Sequence, residues 1–291
     1  MLFDYLRLSE AIADMLRARK AGTAVAPERL AVPVPGGVLL CMPAADADVA
    51  IVKNITVHPG NRELPVIQGE VLVLDAATGR KLAVLDAREL TARRTAAVSL
   101  LAARLLAPCP AGPLCLFGAG VQARAHAEAF AQGLGVTDVV IVSRTQKRAE
   151  GLAGELAGEG IAARVETDAA AAVRDAALIV TATTGREPVF PDAVRGDVFV
   201  AAVGSFTPEA AEVPASLVSR AALFVDDMAS ARVEAGDFLR AGVDWGAVTP
   251  LEEILDAPPP VGPVVFKTVG HALFDLAAAK NMLVENKFLL S

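Results

Sequence analysis

A short apolar segment followed by two spaced glycines constrains the fold more than any other feature of this 291-residue chain. Leu114–Phe117 has the length and composition of a buried strand, and an alanine-rich segment that can form a helix follows it. Between them stand Gly118, Gly120 and Ala123, in the Gly-x-Gly-x-x-Ala spacing of a strand that turns sharply into a helix. The glycines permit the tight turn and a close approach of phosphates to backbone amides. With a second strand predicted at 138–142, this context predicts a Rossmann unit.

The part of the chain before this unit is predicted to be mostly β-structure. Strand-length segments occur at 38–42, 49–55, 68–74 and 81–85, and the turn at 75–80 predicts that the last two form a hairpin. A helix is predicted near the N-terminus, with Ser9 as its N-cap, and a second helix at 90–106. A proline-rich linker at 108–113 follows.

After the linker, short apolar strands alternate with alanine-rich helices. Strands at 177–181, 198–203 and 222–225 are predicted to continue a parallel sheet, and a strand at 264–266 precedes a last helix at 269–286. We therefore predict an α/β protein with two domains. Residues 112–265 form a Rossmann dinucleotide-binding domain, and residues 1–111 plus 266–291 form an α+β domain completed by the C-terminal helix.

Composition and charge exclude several classes of function. The net charge of -7 and the lack of a basic stripe argue against nucleic-acid binding. No apolar run reaches the roughly 18 residues of a membrane span, and no signal segment is recognised near the first residues, so we expect a cytoplasmic protein with no membrane partner. The three cysteines and three histidines have no metal-like spacing, and we expect no metal.

The residues after the second Rossmann strand indicate which dinucleotide binds. NAD sites carry an acid there for the ribose hydroxyls, but this chain has Ser143, Arg144 and Thr145, with Lys147 and Arg148 close behind. A guanidinium pairs well with the additional phosphate of NADP. The pattern favours NADP, with NAD as the alternative, unless Arg144 is only a solvated loop residue.

Lys53 has an unusual position for a lysine. Strand alternation places it on the same face as Val49, Ile51 and Ile55. A charge on an apolar face either faces a binding site or carries a partner. The competing interpretation, a lysine that protects an edge strand, fits the spacing equally well.

Arg94 is a second cation of this kind. It shares a helix face with Val98 and Leu101 and lies near the helix N-terminus, where the dipole disfavours a cation unless an anion is bound. A ligand carboxylate would be such an anion. A salt bridge to Asp86 or Glu89 explains the spacing equally well.

Five motifs in a fixed order resemble the ornithine cyclodeaminase/mu-crystallin family, from about residue 25 to the C-terminus. They begin at Lys53, Leu90, Gly118, Val203 and Phe266, and read KNITVHPGN, LTARRTAA, GAGVQA, VGSFTP and FKTVGHA. The family comprises NAD(P)-dependent enzymes of amino acids and their cyclic imines, usually homodimers built through the N-terminal domain. The resemblance therefore implies that the first domain binds substrate and forms the dimer.

The resemblance also implies roles for individual residues. Lys53 and Arg94 would bind the substrate and act in catalysis, and Arg29 would be a further carboxylate-binding arginine. The glycine turn and the residues after the second Rossmann strand supply the predicted cofactor contacts Gly118, Ala119, Gly120, Val121, Gln122, Ser143, Arg144, Thr145 and Arg148. The resemblance adds Thr181, Ala182, Thr183 and Thr184 along the cofactor, Val203 and Gly204 of the fourth motif, and Val269 and Gly270 beside the nicotinamide.

One departure from the family pattern bears on the reaction. Cyclodeaminases carry an aspartate two residues before the proline of the fourth motif, and this chain has Phe206 there. A phenyl ring cannot take a proton from the substrate amine. Reduction of a cyclic imine such as Δ1-pyrroline-2-carboxylate to the L-amino acid does not need that base, and mu-crystallin-like ketimine reductases also lack it.

We therefore predict an NAD(P)H-dependent ketimine reductase. The alternatives are an ornithine cyclodeaminase whose acid is Asp226 or Asp227, an amino-acid dehydrogenase, and a non-catalytic NADPH-binding protein. Asp226 and Asp227 are more simply interpreted as a helix N-cap.

Overall fold

The computed structural model describes residues 3–285, and these divide into two compact units. The first unit comprises the described residues up to Arg94 together with those from His271 onward, and the second runs from Thr95 to Gly270. The first contains α1 (Tyr5–Lys20), β1 (Leu30–Val34), β2 (Gly37–Ala45), β3 (Val49–Val57), β4 (Ile67–Asp75), β5 (Lys81–Asp86) and α9 (Ala272–Glu285). The helix α2 (Ala87–Leu106) begins in the first unit and ends in the second.

The first unit is built on an antiparallel sheet with the strand order β1-β2-β3-β4-β5. Every second residue of β3 is buried, because this strand has a neighbour on each side and turns one face towards the unit's core. The helix α9 packs on β2 and β3, and α1 packs on α9. The predicted hairpin is confirmed, since β4 and β5 pair antiparallel.

Two details of this unit differ from the sequence-based predictions. The helix α1 is capped by Asp4, whose carboxylate accepts the backbone N–H of Arg7, whereas Ser9 lies inside the helix and donates to the carbonyl of Leu6. The prediction of Ser9 as the cap is therefore wrong, because an equally good capping residue begins the helix one turn earlier. The strand β1 was not predicted, and its Pro33 is tolerated because β1 lies at the edge of the sheet.

The second unit is a doubly wound parallel sheet, and the predicted Rossmann architecture is confirmed. Its elements are β6 (Leu114–Phe117), α3 (Val121–Leu134), β7 (Asp138–Val142), α4 (Gln146–Gly158), β8 (Ala162–Val165), α5 (Ala169–Arg174), β9 (Leu178–Thr181), β10 (Phe199–Ala202), α6 (Ala215–Val218), β11 (Ala222–Val225), α7 (Met228–Glu234), α8 (Gly236–Ala241), β12 (Val248–Pro250) and β13 (Val264–Lys267). The strand order is β12-β11-β13-β10-β9-β6-β7-β8, and every pairing is parallel. The order reverses between β6 and β9, the point at which open α/β sheets bind ligands.

The division into units differs from the sequence-based boundaries in two places. The C-terminal part of α2 and the whole of β13 belong to the second unit. The strand β13 belongs to the second unit because it lies between β10 and β11 and forms hydrogen bonds with both. The last helix begins at Ala272, three residues later than predicted, and Asn286, its predicted end, lies outside the described residues.

Candidate active site

The glycine turn after β6 has the geometry that its sequence predicts. Gly118 adopts φ +114°, and a Cβ at this position would lie 2.4 Å from the carbonyl oxygen of Ala182. No larger residue fits there without moving the neighbouring strand end. At Gly120 a Cβ would meet nothing within 4 Å, so packing within the protein does not require this glycine. An open surface over the uncapped start of α3 suits a phosphate group, which fits a dinucleotide cofactor.

A cavity of about 520 Å³ lies beside this turn, between the ends of β6, β7 and β9. Many of the predicted cofactor contacts line it: Gly118, Ala119, Gly120, Ser143, Arg144, Thr145, Arg148, Ala182, Thr183 and Thr184. The sequence reasoning missed Gly185, Arg186, Glu187 and Val189, which follow β9 and complete the wall. The Thr-Thr-Gly-Arg segment that begins two residues after the buried strand β9 was the signal that could have found them.

The remaining predicted cofactor residues lie elsewhere in the second unit. Val121 lines an adjacent cavity, and the side-chain oxygen of Gln122 is buried without a hydrogen-bond partner among the described residues. Thr181 is buried and donates to Glu212. Val203 and Gly204 follow β10, and Val269 and Gly270 follow β13. None of these seven residues lines the cavity of about 520 Å³.

Arg144 and Arg148 stand at the outer wall of the cavity. Both are exposed, and neither pairs with a carboxylate of the described residues. The Nη2 of Arg144 donates to Thr184 Oγ1 at 3.2 Å, which directs the guanidinium across the cavity wall. Glu187, the acid of this wall, is paired with Arg240 at 2.8 Å. The wall therefore presents unpaired positive charge.

A buried carboxylate that the sequence analysis missed fixes the loops after β9 and β10. Glu212 accepts the backbone N–H groups of Thr183, Gly204 and Ser205, at 2.8, 2.8 and 3.0 Å. Burial raises the pKa of Glu212, although the nearby Lys267 acts in the opposite direction. Three backbone donors on one carboxylate hold the ends of β9 and β10 together beside the switch point of the sheet.

Asp226 has the same function at the end of β13. Its carboxylate accepts the hydroxyl of Thr268 at 2.5 Å and the backbone N–H groups of Val269 and Gly270 at 3.1 and 2.8 Å. Asp227 caps α7 by accepting the N–H of Ser230 at 2.8 Å. Only Asp227 is the predicted N-cap, and both carboxylates are engaged in structural hydrogen bonds.

In the first unit, Lys53 is buried in the sheet core with 1 % of its surface exposed. Its Nζ donates to Asp275 Oδ1 at 2.9 Å and to Thr91 Oγ1 at 2.7 Å. Because β3 is the central strand, the edge-strand interpretation of Lys53 is wrong. A lysine ammonium has three N–H donors, and the third has no acceptor among the described residues.

Arg94 shares the same carboxylate. Its Nε donates to Asp275 Oδ1 at 3.1 Å, so one oxygen of Asp275 accepts from both cations. No described residue accepts a hydrogen bond from the terminal nitrogens of Arg94. The alternative interpretation of Arg94, a salt bridge to Asp86 or Glu89, is wrong, because Glu89 pairs with Arg93 and Asp86 accepts backbone N–H groups at the start of α2.

We call Lys53, Thr91, Arg94 and Asp275 the Lys53 cluster. Its charge is positive by one, since two cations share one acid, and Arg29 adds to the positive field at Lys53. Burial lowers the pKa of Lys53 to about 8; the charge of Asp275 raises it, and the charges of Arg94 and Arg29 lower it further. Burial alone would raise the pKa of Asp275, but Lys53 and Arg94 hold it below its usual value. The cluster thus contains a lysine that can change charge near neutral pH.

Comparison with known proteins identifies the family. A profile of the ornithine cyclodeaminase/mu-crystallin family matches residues 2–287. A Δ1-pyrroline-2-carboxylate reductase 1 of Burkholderia multivorans is 43 % identical over 284 residues, which are 96 % of this chain and 91 % of that protein. The ketimine reductase mu-crystallin of Mus musculus is 36 % identical over 294 residues, covering 95 % of this chain and 92 % of that protein.

A solved structure shows the same fold. The Δ1-pyrroline-2-carboxylate reductase of Thermococcus litoralis, in complex with NADH and L-proline, superposes with a TM-score of 0.91 at 26 % identity, covering 100 % of this chain and 96 % of that one. The protein is an NAD(P)-dependent oxidoreductase of the α/β class. It belongs to the ornithine cyclodeaminase/mu-crystallin family, as its motifs predict.

Between residues 3 and 285, no helix combines the length and apolar character needed to cross a bilayer. Within the same residues, no cluster of three or more His, Cys, Asp or Glu side chains is arranged to hold a metal ion.

Proposed function

We propose that this chain reduces a small cyclic imino acid, such as Δ1-pyrroline-2-carboxylate, to the corresponding L-amino acid with NAD(P)H. The observation that carries the proposal is the Lys53 cluster. Two buried cations share one carboxylate, and both retain N–H donors that no described residue accepts. Burying unbalanced charge is costly, so the cluster is best explained as a binding site for one carboxylate of a ligand.

Each residue of the cluster then has a role. Arg94 binds the substrate carboxylate with its two terminal nitrogens, because guanidinium and carboxylate pair through parallel hydrogen bonds. Lys53 directs its third N–H to the imine nitrogen and transfers that proton to it, so that the nitrogen becomes the amine of the product. Arg29 contributes further positive charge. The bound dinucleotide supplies the hydride.

Reduction is favoured over cyclodeamination by the side chains around β10 and β11. Phe206 stands at the position of the cyclodeaminase aspartate and is 45 % exposed. The alternative acids Asp226 and Asp227 are engaged with backbone N–H groups. No free base therefore replaces the missing aspartate at these positions. A protein that only bound NADPH would need neither Lys53 nor Arg94.

Product analysis tests the proposal directly. We expect purified protein to convert Δ1-pyrroline-2-carboxylate and NADPH into L-proline and NADP, with no release of ammonia. In a parallel reaction with L-ornithine and NAD we expect no ammonia. Ammonia from ornithine would instead identify a cyclodeaminase, and the absence of turnover in both reactions would favour the binding protein.

For the cofactor, we propose a preference for NADPH over NADH. The exposed guanidinium groups of Arg144 and Arg148 line the cavity without a carboxylate partner among the described residues, so they are suited to the 2′-phosphate of NADP. The other predicted cofactor contacts stay predictions at the level of individual residues.

Replacing Arg144 tests this preference. We expect Arg144→Asp to lower the ratio of kcat/KM for NADPH to that for NADH by about 30-fold or more, because a charge-assisted hydrogen bond worth about 2 kcal/mol is lost and repulsion replaces it. Lys147→Asp is the matched control, since Lys147 is exposed on the same helix start but does not line the cavity. Equal effects of the two variants would contradict the assignment of Arg144.

We further propose that the protein is a homodimer formed through the outer face of the five-stranded sheet. Leu39, Val52, Leu72, Leu74 and Val84 share this face, and none of them is buried within the chain. An apolar sheet face of this kind is typical of an interface between subunits. Sedimentation equilibrium at micromolar concentration tests this, and a monomer would contradict it. The predicted cytoplasmic location stays a prediction.

A further inference from the structure

We propose that Asp275, the first acidic residue of α9, is a positioning residue that keeps Lys53 charged and aligned for the proton it provides. The proposal rests on the proposed reductase function for its role in the reaction, but not for its effect on Lys53. Nothing in the motifs singles out Asp275, which stands in an otherwise apolar stretch, Ala-Leu-Phe-Asp-Leu-Ala-Ala-Ala.

The burial of Asp275 is the first argument. Its side chain has 0 % of its surface exposed, and an isolated carboxylate in such a place would cost several kcal/mol. Only Oδ1 is used by the two cations, and Oδ2 has no hydrogen-bond partner among the described residues. The arrangement concentrates both cations on one atom.

The second argument is the geometry that this atom imposes. Because Lys53 Nζ donates to Asp275 Oδ1 and to Thr91 Oγ1, two of its three N–H directions are fixed and the third direction follows from them. The same Oδ1 takes Nε of Arg94 and leaves the two terminal nitrogens of the guanidinium for a ligand. Asp275 thus orients both donors from a single point.

The third argument is electrostatic. The charged groups that act on Lys53 are Asp275 from α9, Arg94 from α2 and Arg29 from the segment before β1. Its cross-strand neighbours, Met42 on β2 and Val71 on β4, carry no charge. Of the three charged groups, only Asp275 raises the pKa of Lys53, which burial lowers to about 8. Without that carboxylate, burial and the charges of Arg94 and Arg29 all favour the neutral amine.

The direct experiment measures the titration of Lys53 without substrate. In protein labelled with ¹³Cε-lysine, Lys53→Arg assigns the Lys53 signal. We expect the midpoint of Lys53 to fall by roughly one to three pH units in Asp275→Asn, the range expected when a charge at hydrogen-bond distance is removed. In Asp275→Glu we expect a midpoint within about half a pH unit of the unmodified protein, because the charge is retained.

Asp46→Asn is the matched control, because it makes the same chemical change in another ion pair of α9, between Lys280 and Asp46. We expect it to leave the Lys53 midpoint unchanged. An unchanged midpoint in Asp275→Asn, or an equal fall in Asp46→Asn, overturns the proposal. If Asp275→Asn does not fold, the NMR signal of the Asp275 carboxyl carbon is followed through a pH titration of the unmodified protein instead. That signal must then change at the pH at which Lys53 titrates, and a signal without that step overturns the proposal.

Kinetics separate this inference from the proposed function. In the reductase assay we expect the alkaline limb of kcat/KM to move to lower pH in Asp275→Asn by the same amount as the Lys53 midpoint, and to return in Asp275→Glu. A general loss of stability would lower activity at every pH without moving the alkaline limb of kcat/KM. That result would overturn the role of Asp275 in the reaction. If the unmodified protein shows no reductase activity but the midpoint falls as expected, the proposed function fails and the control of Lys53 by Asp275 stands.

Discussion

Lys53→Met is expected to lower kcat for Δ1-pyrroline-2-carboxylate reduction by about 10²- to 10⁴-fold, the usual contribution of a positioned proton donor. Methionine fills nearly the same volume but offers no proton and no charge. Because Lys53 lies in the first unit and the dinucleotide cavity in the second, we expect the Kd for NADPH to change less than twofold. Steady-state kinetics and NADPH fluorescence titration measure the two quantities.

The pH profile adds a second signature for Lys53. With a pKa of about 8, Lys53 is protonated below this pH and loses its proton above it, so kcat/KM should be constant below pH 8 and fall as the pH rises through it. In Lys53→Arg we expect the fall of kcat/KM at alkaline pH to disappear, because a guanidinium stays charged. Lys81→Met is the control, because Lys81 is exposed at the start of β5. Equal losses of catalysis and of NADPH binding in Lys53→Met would remove Lys53 from the mechanism.

Arg94→Gln is expected to raise the KM for the imino acid by about 30-fold or more, because loss of one partner of a buried charged pair costs at least about 2 kcal/mol. The positive charge of Arg94 lowers the pKa of Lys53, so its removal should also move the alkaline limb of kcat/KM above pH 8. This direction is opposite to that expected for Asp275→Asn. Initial rates over a range of imino acid concentrations and pH values give both results.

The neighbouring arginine offers a close control for this variant. Arg93 lies on the same helix, pairs with Glu89 and stacks over the ring of Phe3 with its guanidinium carbon 4.2 Å from the centroid. Arg93→Gln makes the same chemical change one residue away, and we expect KM to stay within twofold of the unmodified value. A fall in kcat with no change in KM for Arg94→Gln would argue that Arg94 does not bind the carboxylate.

Local pattern was sufficient to predict the Rossmann unit and the family. The glycine turn depends on residues adjacent in sequence, and steric limits at Gly118 leave few alternatives to it. Strand alternation likewise placed Lys53 on the buried face of β3, where the structure has it. These features follow from backbone geometry, which short stretches of sequence determine.

The partners of the functional residues could not be predicted in this way. Asp275 is separated from Lys53 by 222 residues and from Arg94 by 181, and only the packing of α9 against β3 brings them together. Glu212 lies 29 residues after Thr183, whose backbone N–H donates to its carboxylate. A single acid in an apolar stretch signals that a partner exists, but it does not say which residue is the partner. Such pairings become visible only with the tertiary fold.

The position of β13 has a consequence for how the chain is made. This strand is the last of the chain to be synthesised among the strands described, yet it completes the hydrogen bonding of both β10 and β11. During translation β10 and β11 leave the ribosome before β13 does. Each then has one edge of unpaired backbone N–H and C=O groups until residues 264–267 are synthesised. A chain truncated before β13 would therefore expose two unpaired strand edges, one on β10 and one on β11, and such edges promote aggregation. The parallel sheet of the second unit is therefore completed only after residues 264–267 have been synthesised.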